Sequence, residues 1–268
     1  AREFGDGRSR WDLIDAVRTA YALRPEGIEW PQRDDGLPSF RLEDLTRANG
    51  LEHGTAHDAL GDVRATIAVA GLLKARQPRL FDWLFRQRSK QAVKALIHVG
   101  ELEPLLHVSG RFGAARANLG LIVPLAWHPA NANEVICADL SVDTALLIDL
   151  PAEELARLLY TRGKDLAEGE LRPGLKSVHI NRCPVLLPAK MADERVAGRA
   201  SMNLAVCREN LARLRAHEQR HPRALHDKLR AMARPEERRE ADDVDRALYS
   251  GGFFPDVDRR LLERLHTL

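Results

Sequence analysis

The chain has 268 residues, a mass of 30.0 kDa and a formal net charge of +2, with 44% hydrophobic and 30% charged residues. This length and composition suit a globular protein with a sizeable core and either two domains or one large domain and part of another. The longest apolar runs fall far short of the ~20 residues that a membrane-spanning helix requires. The composition therefore predicts a soluble protein.

Cysteine usage and the start of the sequence predict the compartment. Cys137, Cys183 and Cys207 are too few and too far apart for a disulfide framework or a CxxC zinc site. No basic-then-apolar leader opens the sequence. We therefore expect a cytoplasmic protein. Because the sequence begins at Ala1 rather than Met, we also expect that an N-terminal portion is missing.

The charges are unevenly distributed along the chain. Residues 1–77 carry a net charge of −2, residues 78–234 carry +7 and residues 235–268 carry −3. A basic middle segment favours a polyanion or an acidic peptide as partner, since bound phosphates release counterions. An Arg-rich solvated surface explains the same numbers, and the charge alone does not separate the two.

The first third of the sequence is predicted to be helical. A capping box at Ser9–Asp12 predicts a helix over 10–23, and Ser39 is expected to cap a short helix that ends at Gly50. A third helix is predicted over 58–76, where one apolar stripe should face the core. The stripe consists of Leu60, Val63, Ile67, Ala70 and Leu73.

The pattern stays helical over 80–97 and then changes to short β-prone runs separated by turn residues. Five or six such strands predict a small barrel or curled sheet. The runs are Leu105–Val108, Leu119–Trp127, Glu134–Leu140, Ala145–Leu150, Ser177–Ile180 and Val185–Leu187. A helix is predicted at Ala152–Tyr160, and further helices near 192, over 202–217 and over 223–233, before a charged linker at 236–243 leads into another helical element.

One pair of residues suggests a catalytic metal site. His57 and Asp62 are five residues apart, which on a continuous helix would separate the side chains by about 140°. If His57 instead lies in the loop before the helix, the imidazole can swing towards the carboxylate. Such a pair suits a metal-bound water, because Asp can hold a hard cation while His removes the proton. A simpler interpretation is that Asp58 caps the helix and His57 is a solvated loop residue.

The sequence around this pair resembles the last motif, H-x(4)-D, of the DnaQ-like, DEDDh-type 3′→5′ exonucleases. It comprises Ala56-His57-Asp58-Ala59 with Asp62. Further runs, in order along nearly the whole chain, resemble the bacterial exodeoxyribonuclease I family. These runs include Tyr21-Ala22-Leu23-Arg24-Pro25-Glu26-Gly27, Gln77-Pro78-Arg79-Leu80-Phe81-Asp82, His107-Val108-Ser109-Gly110, Leu125-Ala126-Trp127-His128-Pro129 and His179-Ile180-Asn181-Arg182-Cys183-Pro184-Val185.

The resemblance implies a processive enzyme of DNA repair and recombination that removes nucleotides from the 3′ end of single-stranded DNA with two Mg²⁺ ions. It implies an α/β + β fold: the C-terminal part of an RNase H-like exonuclease domain at 1–77, an SH3-like β-barrel domain with helices at 78–234, and the start of a helical domain at 235–268. Asp62 would hold metal and His57 would act as general base.

Family members carry an Asp-x-Glu pair on the first strand and a further Asp before the first helix predicted here. No position of this sequence matches them, because the residues around Asp6 and Asp12 differ from the family motifs. Three of four metal carboxylates are thus absent, and Asp62 alone would leave two cations mostly hydrated. We expect the chain by itself to be inactive.

The resemblance also implies binding residues. For the DNA strand they are Arg41, close to the scissile nucleotide, and Arg111, Phe112 and Arg116 of a Gly-rich basic loop, in which relatives tend to carry tryptophans. For the acidic C-terminal tail of single-stranded-DNA-binding protein they are Arg24 and Trp83, with Arg208 and Arg215 on one helix face. For Phe112 a core role is equally compatible with the sequence, and charged stripes are commonly just solvated.

Two other functions stay open on the sequence alone. The chain could be a non-catalytic module that binds single-stranded DNA or an acidic peptide, or a metal-independent structural protein that shares the fold. A monomer that does not contact membranes is expected.

Overall fold

A computed structural model describes residues 9–51, 59–233 and 255–265. The chain divides into two units, residues 1–233 and 234–268. His57 and the predicted linker at 236–243 lie outside the described residues. Within the described ranges, no helix has the length and apolar character needed to cross a membrane.

Helix α1 spans Leu13–Leu23 and begins where Asp12 caps it. The Asp12 carboxylate accepts a hydrogen bond from the Ile14 backbone N–H at 3.0 Å, which satisfies one of the free donors of the first turn. The predicted start at residue 10, with Ser9 as cap, was therefore three residues early. Ala16, Val17, Ala20 and Leu23 form its buried face.

Helix α2 spans Leu42–Ala48 and ends before Gly50, which has a φ of +62°. The prediction that Ser39 caps it was wrong. Arg41 holds the N-cap position and makes no side-chain cap bond there. The buried Ser39 hydroxyl instead donates to the Asp44 carboxylate, which ties the loop to the helix it precedes.

Helix α3 spans Ala59–Arg76, but most of the predicted core stripe faces outwards. Leu60, Val63 and Ile67 are 54%, 54% and 65% exposed. The buried line consists of Gly61, Ala65, Val69 and Leu73. Both faces of this helix carry apolar residues. The small residues of the buried line allow α3 to pack closely against α1 and α2. Side-chain size, rather than hydrophobicity, therefore determines which face is buried.

The core of the first unit is a five-stranded antiparallel sheet, in which the strand order is β4-β3-β2-β1-β5. The strands are β1 (Leu105–Val108), β2 (Leu119–Trp127), β3 (Glu134–Asp139), β4 (Leu175–His179) and β5 (Val185–Pro188). The register between β2 and β3 shifts between Pro124 and Ala126. Pro124 has no N–H to donate, which accounts for an irregularity at this point of a central strand.

The predicted strand at Ala145–Leu150 is wrong: Ala145–Asp149 is a helix, α6. A short, mostly apolar run does not by itself distinguish a strand from a buried helix. Here the Lys228 ammonium, from a helix far along the chain, donates to the carbonyls of Leu147, Ile148 and Leu150. That distant cation stabilises the helix C-terminus.

Six further helices lie in the described part of the first unit, and α10 contacts strand β2. They are α4 (Pro78–Arg86), α5 (Lys90–Lys94), α7 (Ala152–Tyr160), α8 (Glu194–Arg199), α9 (Leu204–Arg220) and α10 (Ala224–Met232). The second unit contains helix α11 (Asp256–Leu265).

The core continues from the described residues of the first 77 into the sheet. Helix α1 packs against β1, β5 and α8, and one buried cluster includes residues of all of them. The Arg199 guanidinium of α8 donates to the Ala22 carbonyl of α1 at 2.9 Å. The domain boundaries expected from the sequence stay a prediction, while the contacts show one continuous core across residue 77.

Asn210 on α9 joins this helix to the turn after β3. Its buried amide donates to the carbonyls of Leu140 and Val142, each at 3.0 Å. We expect Asn210→Ala to lower the free energy of unfolding by about 2–3 kcal/mol, because it leaves buried carbonyls without donors. Urea unfolding measures the change, with Glu209→Ala at the exposed neighbouring position as control. Equal midpoints for the two variants would contradict this role.

His107 on β1 is buried, and its Nδ1–H donates to the Val185 carbonyl at 3.0 Å. Burial lowers the pKa of His107 to about 4. The unfolded chain therefore binds the proton first, so stability should fall as the pH drops from about 6.5 towards 4, by up to about 3 kcal/mol. We expect His107→Gln to flatten this dependence in urea unfolding at a series of pH values, whereas His221→Gln at an exposed site should not.

Candidate functional site

Arg41 lies at the edge of an open cleft of about 610 Å³ beside α2. Its position at the N-cap of α2 leaves the side chain exposed. The cleft carries charges of both signs, from Arg33, Asp34, Asp35, Asp44 and Arg47 as well as Arg41. Exposed guanidinium groups can bind a phosphate in bidentate fashion, and the fold leaves Arg41 available for such a contact.

Asp62 lies in the first turn of α3 and is exposed. Because His57 is outside the described residues, its convergence with Asp62 stays a prediction. Within the described ranges, the group of three possible metal ligands that lie close together is His98, Glu101 and Glu103, which does not include Asp62. A two-metal site needs several shared oxygen ligands, and the described residues around Asp62 do not provide them.

The Gly-rich loop after β1 holds Phe112 against the sheet. A Cβ atom on Gly120 would come within 2.5 Å of the Phe112 ring, so only glycine lets the ring lie there. The His107 ring meets Phe112 edge-on, with the centroids 5.7 Å apart. Phe112 is thus half-buried and packs on the barrel core.

Arg116 is held by acceptors of the protein itself. Its guanidinium donates to both Asp139 oxygens, at 2.7 and 3.2 Å, and to the Ser141 hydroxyl at 3.2 Å. It also lies over the Phe112 ring, 4.9 Å from the centroid. The structure therefore gives Arg116 a role in organising the loop, while Arg111 is exposed to solvent.

Arg24 and Trp83 meet at a pocket of about 630 Å³ between α1, α4 and β5. Its wall is mainly apolar, and its charged lining residues are all basic. The apolar residues are Pro78, Leu80, Trp83, Leu187, Pro188 and Met191, and the basic ones are Arg24, Arg79 and Lys190. An apolar pocket with a basic edge suits a peptide that has both apolar and acidic groups.

The pocket does not include the other two residues predicted to contact the partner. Arg208 lines a shallow depression at the start of α9, and Arg215 donates to the Leu102 carbonyl at 3.0 Å. Arg79 and Lys190 also line the pocket, although the sequence did not single them out. Arg79 stands in the Gln77-Pro78-Arg79 run that carried part of the resemblance, whereas Lys190 reaches the pocket only because β5 pairs with β1.

Known proteins resemble this chain in sequence and in structure. The family model described as "Exonuclease I SH3-like domain" matches residues 88–232. Exodeoxyribonuclease I of Escherichia coli strain K12 is 50% identical over 256 residues, which cover 95% of this chain and 52% of the relative. The chain spans about half the length of the curated relatives it matches.

Solved structures show the same similarity. E. coli exonuclease I in complex with a dA16 oligonucleotide superposes with a TM-score of 0.91 at 48% identity, covering 99% of this chain and 55% of that chain. A structure of SSB/Exonuclease I in complex with inhibitor CFAM superposes with a TM-score of 0.82 at 46% identity, covering 98% of this chain and 53% of that chain.

These matches confirm the predicted fold class: the chain holds the C-terminal part of an RNase H-like exonuclease domain, an SH3-like barrel with helices and the start of a helical domain. Since the family model matches more than half of its residues, and relatives agree over nearly all of it, the chain belongs to the exodeoxyribonuclease I family.

Proposed function

We propose that the chain is part of a 3′→5′ exonuclease that degrades single-stranded DNA processively to nucleotides, in DNA repair and recombination. The observation that carries this proposal is the agreement over nearly the whole chain with an exonuclease I that was solved with a bound oligonucleotide. The basic barrel unit and the exposed Arg41 and Arg111 support a polyanionic substrate. The protein would act as a monomer in the cytoplasm.

In this proposal hydrolysis uses two Mg²⁺ ions, with Asp62 as a ligand and His57 as general base. The ions would supply charge stabilisation and an activated water. Asp62 is exposed and therefore accessible to a hydrated cation. Since the described residues do not complete a two-metal site around it, we infer that hydrolysis requires further carboxylates.

The first test follows from this ligand shortage. We expect the 268-residue chain, incubated with Mg²⁺ and a labelled single strand, to release no nucleotides, because one aspartate cannot fix two cations. Denaturing electrophoresis of the labelled strand measures release, with E. coli exonuclease I as positive control. Mg²⁺-dependent shortening of the strand that disappears in Asp62→Asn would contradict the expectation of inactivity and support the role of Asp62.

For strand binding we propose contacts from Arg41, Arg111, Phe112 and Arg116. The exposed guanidinium groups of Arg41 and Arg111 can each reach a phosphate. Phe112 and Arg116 are stacked on each other and anchored by Asp139, so their contribution would come from the outer surface of that stack. The partly buried ring offers less area for base stacking than an exposed aromatic would.

For partner binding we propose that the acidic C-terminal tail of single-stranded-DNA-binding protein docks in the pocket at Arg24 and Trp83. The Trp83 indole and Met191 would contact apolar side chains of the tail, and Arg24 would pair with a carboxylate. The solved SSB/Exonuclease I structure supports such a partner. Arg208 and Arg215, exposed on α9, would add long-range attraction.

A second experiment compares the contribution of the pocket residues to peptide binding with that of Arg208 and Arg215. We expect Arg24→Ala and Trp83→Ala to weaken binding of an acidic tail peptide roughly tenfold or more, since both remove direct contacts. Arg208→Ala and Arg215→Ala should have smaller effects that vanish at high salt. Titration calorimetry measures the affinities, with the exposed Arg162→Ala as control. Equal losses in all four variants would contradict docking in the pocket.

A second candidate function is a non-catalytic module that binds single-stranded DNA or an acidic peptide. The absence of a completed two-metal site among the described residues favours it, together with the basic pocket. Nuclease activity in a longer protein that contains this chain would exclude this alternative.

A further inference from the structure

Three side chains that can bind a metal ion meet in the turn that leads from α5 into β1. They are His98, Glu101 and Glu103, and one possible ligand atom of each lies within 4.8 Å of the others. The His98 Nδ1 is 3.0 Å from Oε2 of Glu103 and 3.6 Å from Oε2 of Glu101. Ligand atoms bound to one Zn²⁺ ion at its usual bond lengths are roughly 3–3.6 Å apart. The imidazole and each carboxylate therefore already have the spacing that one such ion requires.

The imidazole of His98 has an oxygen neighbour at each ring nitrogen. Nε2 lies 3.2 Å from the Ala95 carbonyl, and Nδ1 faces the Glu103 carboxylate. A neutral imidazole carries a single N–H, so one nitrogen would direct its lone pair at an oxygen. The Ala95 carbonyl accepts only from Nε2–H, which leaves the Nδ1 lone pair between the carboxylates. Histidines that bind metals commonly donate their second N–H to a carbonyl in this way.

The backbone of the turn holds both glutamates beside His98. Leu102, which stands between them, has a φ of +49° and is buried, whereas its two neighbours are exposed. The Arg215 guanidinium of α9 donates to the Leu102 carbonyl at 3.0 Å. Ile97, immediately before the histidine, is also buried. Because buried side chains anchor the turn on both sides, a metal ion would need to order little more than the exposed ligands.

The balance of charge at the turn favours a divalent cation. Two carboxylates face one imidazole, so a single proton on His98 neutralises only one of them. The hydrogen bond with Glu103 raises the pKa of His98, and the charge of Glu101 raises it further. A proton at Nδ1 thus fills the space between the ligand atoms. A divalent cation at the same place would displace this proton and balance both carboxylates.

We propose that His98, Glu101 and Glu103 form a binding site for one divalent transition-metal ion of the Zn²⁺ type. The imidazole nitrogen favours such an ion over Mg²⁺ and Ca²⁺, which prefer oxygen ligands. Three protein ligands leave a position for water, and the bound ion would fix the end of α5 to the start of β1. Neither Asp62 nor strand cleavage enters this site, so its test does not depend on the proposed function.

The experiment titrates the 268-residue chain with ZnCl₂ near neutral pH, follows the heat by calorimetry and measures the thermal midpoint with and without the metal. We expect Zn²⁺ to bind and to raise the midpoint, since it binds only the folded turn. Glu103→Gln and His98→Gln should each weaken this binding at least tenfold, because each removes one of three ligands. Mg²⁺ should not raise the midpoint. Glu168→Gln, at an exposed acidic position after α7, should behave as the wild type.

Two other places on the chain are controlled separately. Asp62 is an exposed carboxylate, and the rings of His217 and His221 have centroids 5.2 Å apart on α9. Asp62→Asn and His217→Gln should therefore retain the Zn²⁺ binding that Glu103→Gln loses. Circular dichroism confirms that each variant is folded, which we expect because His98 and both glutamates are exposed.

Each outcome decides the proposal. Loss of the same binding in Glu103→Gln and His98→Gln, with the control variants unchanged, supports the site. Wild-type affinity and midpoint shift in both variants would refute it. If the shift disappears only in Asp62→Asn or His217→Gln, the ion binds elsewhere and the proposal is overturned. If the wild-type chain binds no Zn²⁺ while Glu103→Gln lowers the pKa of His98 in an NMR titration, the cluster is an ion pair only and the proposal is likewise overturned.

Discussion

The packing of helix α1 on the sheet is the contact on which the sites proposed for DNA and for the acidic peptide depend. Its buried face is made largely of small residues, so the helix axis lies close to β1 and β5. Arg199 anchors its C-terminal end through the Ala22 carbonyl. From this one helix, Arg18 reaches the barrel loop and Arg24 reaches the apolar pocket, so a shift of α1 would disturb both places together.

Some arginines at these places form ion pairs with carboxylates, whereas others are available to bind a ligand. Asp139 holds Arg116, and its partly buried geometry makes this pair a fixed part of the loop. Asp15 pairs with Arg18 at 2.8 Å. In the pocket at Arg24 and Trp83 the charged residues of the lining are basic. Under the proposed function, such local surplus would favour binding of a polyanion and of an acidic peptide, because an overall charge of only +2 would not select either partner.

The sequence predicted much of the local structure correctly where a local signal exists. The strands β1 and β2 and the helix α7 have the predicted bounds, since turn residues and alternation mark strand ends and Pro151 precedes the helix. Errors occurred where the signal was ambiguous. Residues 145–149 form a helix whose C-terminal carbonyls accept hydrogen bonds from the distant Lys228. In α3, side-chain size determines which face is buried.

The sequence by itself determined the family, the order of the elements and the chemical types of the candidate residues, because these depend on spacing and composition along the chain. Only the tertiary structure decided which basic residues share a site. Arg79 and Lys190 join Arg24 at one pocket, Arg18 lies against Gly110 of the loop after β1, and Asp139 binds Arg116. Some of these contacts join segments more than a hundred residues apart in the sequence. Such contacts follow from packing of whole elements, and no local pattern in the sequence encodes them.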